Sequence, residues 1–110
     1  MKATVEIDAG ICGFRTRAQA TSQDSQNVNF HIETTCDKIR RLAELLKDKG
    51  PIDAFEDISP VGESLLLSVA RSALTGCCAG CVVPVGLFKA MQVAAGLALP
   101  KDIDIKMVKD

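Results

Sequence analysis

The chain has 110 residues and a mass of 11.7 kDa, enough for one domain, 1–110, with one core. Hydrophobic residues make up 47% and charged residues 25%, an ordinary globular balance that excludes intrinsic disorder and collagen-like repeats. Lys+Arg 13 against Asp+Glu 14 gives a net charge of −1, and with four Phe, no Tyr and no Trp there is neither a basic field nor a stacking platform for nucleic acid.

At the N-terminus, Val5 and Ile7 alternate with Thr4, Glu6 and Asp8, the period-2 pattern of a half-buried strand over residues 3–8. Its acids interrupt the apolar stretch a signal peptide needs, so a cytoplasmic location is expected. Gly10 and Gly13 bracket Ile11-Cys12 as a turn. From Phe14, Thr16, Ala18 and Ala20 alternate with Arg15, Arg17 and Gln19 as a second strand. Asp24-Ser25 supplies the next turn, and Val28, Phe30 and Ile32 alternate with Asn29, His31 and Glu33 as a third. The simplest joining is an antiparallel meander.

The period then becomes helical: Ile39, Leu42, Ala43 and Leu46 fall at i, i+3, i+4 and i+7. Thr35 is the expected N-cap, and Gly50-Pro51 closes the helix. Ser59-Pro60 is expected to open a second, central helix through Leu65, Leu66, Val69, Ala70 and Leu74, ending near Thr75-Gly76. A third runs from about Pro84 to Gly96, and Asp102–Met107 alternates as a final strand. The order β-β-β-α-α-α-β predicts a two-layer α+β fold with helices on one face of an antiparallel sheet. The uncharged run Ser72–Phe88 contains Gly76, Gly80, Pro84 and Gly86 and falls short of the roughly 20 apolar residues of a membrane span. From Ser72 to Pro100 only Lys89 is ionisable apart from cysteine, which raises a homodimer through this stretch as a candidate arrangement.

The chemistry lies in the five cysteines, an odd number that cannot all pair within one chain. Cys78-x-x-Cys81, in the loop Thr75–Pro84, has the spacing that brings two thiolates to one metal or cluster. Cys77 with Cys81, at i and i+4, is the alternative pair. In a meander the first and third strands run the same way, so Cys12 and Cys36, each just past a strand end, emerge at the same edge. If the Cys78 loop covers that edge, Cys12, Cys36, Cys78 and Cys81 converge. So little counter-charge surrounds the loop that thiolates there need a metal or must stay protonated. Soft thiolates and glycine-rich surroundings favour an iron–sulfur cluster, with zinc as the alternative, since four-cysteine zinc sites usually use two close pairs and only one exists here. The competing readings are a thiol redox or sulfur-handling protein using Cys77–Cys81 and an interaction domain with incidental cysteines. No nucleophile–histidine–acid set, P-loop or dinucleotide fingerprint occurs, and the lone His31 falls on the polar side of its strand.

Residues Gly76–Val108, with Cys78 and Cys81, a following helix through Lys89 and Met91, Leu99-Pro100 and the stretch Ile103–Val108, resemble the C-terminal iron–sulfur scaffold domain of NifU-type proteins. That resemblance implies a [4Fe–4S] cluster held by Cys78 and Cys81, often between subunits. A helix precedes the motif here, and Cys12, Cys36 and Cys77 have no counterpart in that domain. Taken whole, with Ala9-Gly-Ile-Cys-Gly-Phe14 near its start, the chain resembles small cysteine-bearing proteins of anaerobic bacteria and archaea, a likeness that implies no particular activity.

Overall fold

Alternating side chains give the sheet two unlike faces. In the computed structural model, which describes residues 1–110, strands β1 (Lys2–Asp8), β2 (Arg15–Thr21) and β3 (Asn27–Thr34) form an antiparallel meander. Val5 stands opposite Ala18, and Ala18 opposite Ile32. Thr16, Ala18, Ala20 and Val28 are buried on one face, flanked by half-buried Ala3, Val5, Ile7, Phe30 and Ile32. The opposite face carries Glu6, Arg17, His31 and Glu33 in water. There the register sets Asp8 against Arg15 at 3.3 Å and Glu6 against Arg17 at 3.0 Å. The β2–β3 turn is held by Asp24, whose carboxylate accepts from the backbone N–H groups of Gln26 (3.0 Å) and Asn27 (2.8 Å) and from the Asn27 side chain (2.8 Å).

All helices lie on the apolar face. Helix α1 (Asp37–Lys49) packs on β3, and Gly50 ends it in the left-handed region (φ 75°). Its N-cap is Cys36, not Thr35: the Thr35 hydroxyl accepts instead from Arg15 N–H at 3.0 Å, which ties the end of β3 to β2. A short strand β4 (Ile52–Asp53) joins the edge of β3, and Asp53 caps helix α2 (Ala54–Ile58). Ser59-Pro60 therefore ends a helix and does not open one. The central helix α3 (Leu65–Ala73) begins later because the buried Asp57 accepts from Ser64 Oγ (2.6 Å), Leu65 N–H (2.6 Å) and Leu66 N–H (3.2 Å), supplying its first turn with acceptors. A 3₁₀ turn (Gly76–Gly80) follows, then α4 (Val83–Ala94), with Pro84 in its first turn, lying across β1 and β2.

A cluster of 18 buried residues sits between the sheet and the helices, with Ile39, Leu42, Leu66, Leu87 and Met91 fully enclosed. Each such side chain contributes about 1.5–3 kcal/mol relative to exposure. The two-layer α+β fold holds, but the fourth strand is Ile52–Asp53, and α2 was not expected. Asp102–Met107 forms no strand: Ile103, Ile105 and Met107 are exposed, and the alternation has no partner strand to act on.

Candidate thiol centre

The meander places Cys12 and Cys36 as the strand directions require. Cys12 lies exposed in the turn after β1, where Gly10 and Gly13 take positive φ and Gly13 N–H closes the turn onto the Gly10 carbonyl at 2.9 Å. Cys36, just past β3, is half-buried against the core at the head of α1. Its N–H donates to Thr34 Oγ1 at 3.1 Å, and its side chain caps nothing, so the sulfur stays available.

The third segment is held against the head of α1. Lys38, in the first turn of α1, donates from Nζ to the Thr75 carbonyl at 3.2 Å, tying the loop to that helix. Gly76 turns the chain at φ 65°, Cys78 N–H donates to the Thr75 carbonyl at 3.3 Å, and Cys81 N–H to the Cys78 carbonyl at 3.1 Å. Cys78 and Cys81 thereby pack half-buried against the core, and Cys77 points to solvent.

Cys81 reports the convergence. Burial pushes its thiol up from the ordinary value, and the thiols whose charge pushes it further are Cys36, Cys78 and Cys12. The nearby backbone N–H of Val83, at the start of α4, opposes this in part. Cys12, Cys36 and Cys78 therefore lie within electrostatic reach of Cys81, whereas Cys77 is not among the groups acting on it. All five cysteines are free thiols. No group of three or more Cys, His, Asp or Glu side chains is set closely enough, as the side chains stand, to hold a metal ion.

Sequence reading missed Lys38 and the Val83 N–H. Lys38 sits two residues past Cys36, but its reach to Thr75 depends on how α1 and α3 pack. His31 is exposed and pairs with Glu33 at 3.2 Å in a shallow polar depression on the open face of the sheet, remote from the thiols in register. Gly76–Ala94, 19 residues with mean hydropathy 1.6, is long and apolar enough to cross a membrane by length and composition. It is divided here into the 3₁₀ turn and α4, and Val83, Gly86, Leu87, Ala90, Met91 and Ala94 of α4 are buried in the fold.

Fold and site together define a small α+β protein with free thiols gathered at one end of an antiparallel sheet. The chain belongs to DUF6951, a family of unknown function whose model matches residues 3–107, a span that includes all five cysteines. Neither a curated protein nor a solved structure matches it significantly.

Proposed function

We propose that the protein is a cytoplasmic iron–sulfur protein whose Cys12, Cys36, Cys78 and Cys81 hold the cluster, serving as a carrier, electron-transfer or structural module. The observation that supports this reading is that Cys12 and Cys36 follow β1 and β3 at one end of the sheet, and that Lys38 ties the Cys78–Cys81 loop to the head of α1 beside Cys36. A thiol that burial keeps protonated gains most when a cation replaces its proton, because the metal supplies the counter-charge the pocket lacks.

The donor set fits a cluster better than zinc. A single zinc ion holds all its sulfurs at about 2.3 Å and demands a tight group, which these thiols do not form as they stand. A cluster spans more widely separated sulfurs and would use the Val83 N–H as a donor to ligand sulfur. When bound, it would supply one-electron chemistry or a transferable cluster. The protein's own residues do the rest: Lys38 fixes the loop, the core shelters Cys36, Cys78 and Cys81, and the exposed Cys12 leaves one side open to a partner. The resemblance of Gly76–Val108 to the NifU-type scaffold domain supports cluster ligation by Cys78 and Cys81, although the strand expected at Ile103–Val108 is missing. A subunit-bridged site would use the low-charge stretch Ser72–Pro100, where Val85 and Leu99 are exposed. An oxygen-sensitive cluster also suits the anaerobic setting that the whole-chain likeness implies.

The test is anaerobic reconstitution with iron and sulfide, followed by iron, sulfide and zinc analysis of the wild type and five single Cys→Ser variants. Severe loss is expected at Cys12, Cys36, Cys78 and Cys81 and little loss at Cys77. If Cys12 and Cys36 prove dispensable while Cys78 and Cys81 are required, a two-cysteine redox or subunit-bridged site replaces this reading. Failure of every form to bind metal leaves an interaction domain with incidental cysteines.

A further inference from the structure

We infer that the C-terminal segment Asp102–Val108 docks in cis as a fifth strand, parallel to β1 along its open edge, and closes toward the turn that carries Cys12. Four observations lead there. First, β1 is the outermost strand, and its ladder with β2 leaves half its peptide groups without partners. Met1 C=O accepts from Ser22 N–H and Ala9 N–H donates to Phe14 C=O, which fixes the alternation: Ala3, Val5 and Ile7 bond to β2. The N–H and C=O groups of Lys2, Thr4, Glu6 and Asp8 therefore face outward, a template for another strand. Second, Asp102–Met107 alternates as a strand yet leaves Ile103 at 52%, Ile105 at 64% and Met107 at 90% exposure, and no backbone hydrogen bond involves any residue after Leu97.

Third, the path of the chain selects direction. Gly86 of α4 lies against Ile7 and Val5, whereas Gly96, just past the end of α4, lies against Met1, so α4 runs opposite to β1 and delivers the tail at the start of that strand. From Gly96, the five residues Leu97–Lys101 are a common connection length, and a strand beginning at Asp102 then runs parallel to β1. Fourth, parallel register is complementary. Ile103, Ile105 and Met107 fall beside Ala3, Val5 and Ile7 on the apolar face, while Asp102 meets Lys2, Asp104 meets Thr4 and Lys106 meets Glu6 on the other. The antiparallel register with the same apolar partners sets Asp104 against Glu6 and Asp102 against Asp8, which repel. Val85 of α4, the helix that lies across β1, is 46% exposed and offers apolar surface for the added strand to cover. Beyond Val108 the chain then points past Asp8 to the Gly10–Gly13 turn.

This proposal does not depend on metal binding, and its test uses the reduced, metal-free full chain. Every buried residue lies at or before Ala95, so a chain ending at Lys101 keeps its core. Amide hydrogen exchange resolved by NMR should show Thr4, Glu6 and Asp8 protected at least about tenfold over the shortened chain. Ile105→Pro, which removes a ladder donor, should abolish that protection, and Ile105→Val should retain it. Alkylation of Cys12 should be several-fold slower in the full chain than in the shortened one. Equal exchange at these amides in both chains overturns the proposal. So does protection that rises with protein concentration together with a sedimenting dimer, which would assign the strand to a second copy.

Discussion

Gly86 is the point where α4 meets β1 most closely, and replacing it tests how the sheet positions the thiol loop. A Cβ at Gly86 would stand 2.5 Å from Ile7 Cδ1, 3.0 Å from Ile7 Cγ1 and 3.6 Å from Val5 Cγ2. The first contact is far inside van der Waals range and the last is ordinary. Alanine in a helix gains roughly 0.8–1.0 kcal/mol over glycine, while an extra methyl forced into a packed contact costs about 1–3 kcal/mol. The atom in the way is the tip of a half-buried side chain that can give somewhat, so Gly86→Ala should destabilise by about 1 kcal/mol net. With a urea slope of about 1–2 kcal/mol/M, the unfolding midpoint should fall by about 0.5–1 M. Ile7→Val removes Cδ1, the atom at 2.5 Å. In that background the same alanine should be neutral or slightly stabilising, a coupling of about 1 kcal/mol in a double-mutant cycle. Circular dichroism in strong reductant, with no metal, measures all four proteins. A Gly86→Ala protein more stable than wild type, with no coupling to Ile7→Val, would refute the close approach of α4 to β1. Because Cys81 leads into α4, the reading of the thiols as one site adds that Gly86→Ala should lower cluster occupancy and Ile7→Val should restore it.

Asp57→Ala removes the acceptor for Ser64 Oγ and for two N–H groups at the head of α3, and should cost about 3–5 kcal/mol by urea unfolding, with Asp57→Asn recovering part. Asp24 is held well below the usual carboxylate range, first by the Asn27 side chain and then by the Asn27 and Gln26 N–H groups. Its contribution to stability is therefore present above pH 3.8 and lost as the pH falls through the folded value, and thermal unfolding of Asp24→Ala should be less acid-sensitive than that of wild type. For Cys81 the sign is opposite. Burial raises its pKa above 9.0, so the metal-free protein should lose stability as pH rises past 9.0, where the unfolded chain ionises first, and Cys81→Ala should lose less. Metal loading, if the proposed site is correct, should release protons measurable by unbuffered titration and weaken as pH falls.

The strands β1 to β3 and the helix after Cys36 were legible in the sequence because each carries its period over several repeats, and a half-buried strand or an amphipathic helix needs no distant partner to declare itself. The glycine-bracketed turn at Gly10–Gly13 and the stop at Gly50 were legible for the same local reason, as was the placing of Cys12 and Cys36 at one edge, which follows from strand direction in a meander. What the tertiary structure decided depends on groups far apart in the chain. Ser59-Pro60 has the local chemistry of a helix start, yet Asp57, buried beneath α3, moved that start to Ser64-Leu65. Thr35 has the chemistry of a cap, but Arg15 N–H, twenty residues earlier, occupied its hydroxyl. Ile52–Asp53 is too short to show a period and became a strand only because β3 offered an edge to Val28's partner Ile52. Asp102–Met107 shows the period clearly and found no partner in this structure. The different exposure of Cys77 and Cys78 was also decided by the fold, because vicinal cysteines share every local signal, and only the packing of the loop on α1 and the core turns one inward and leaves the other in water.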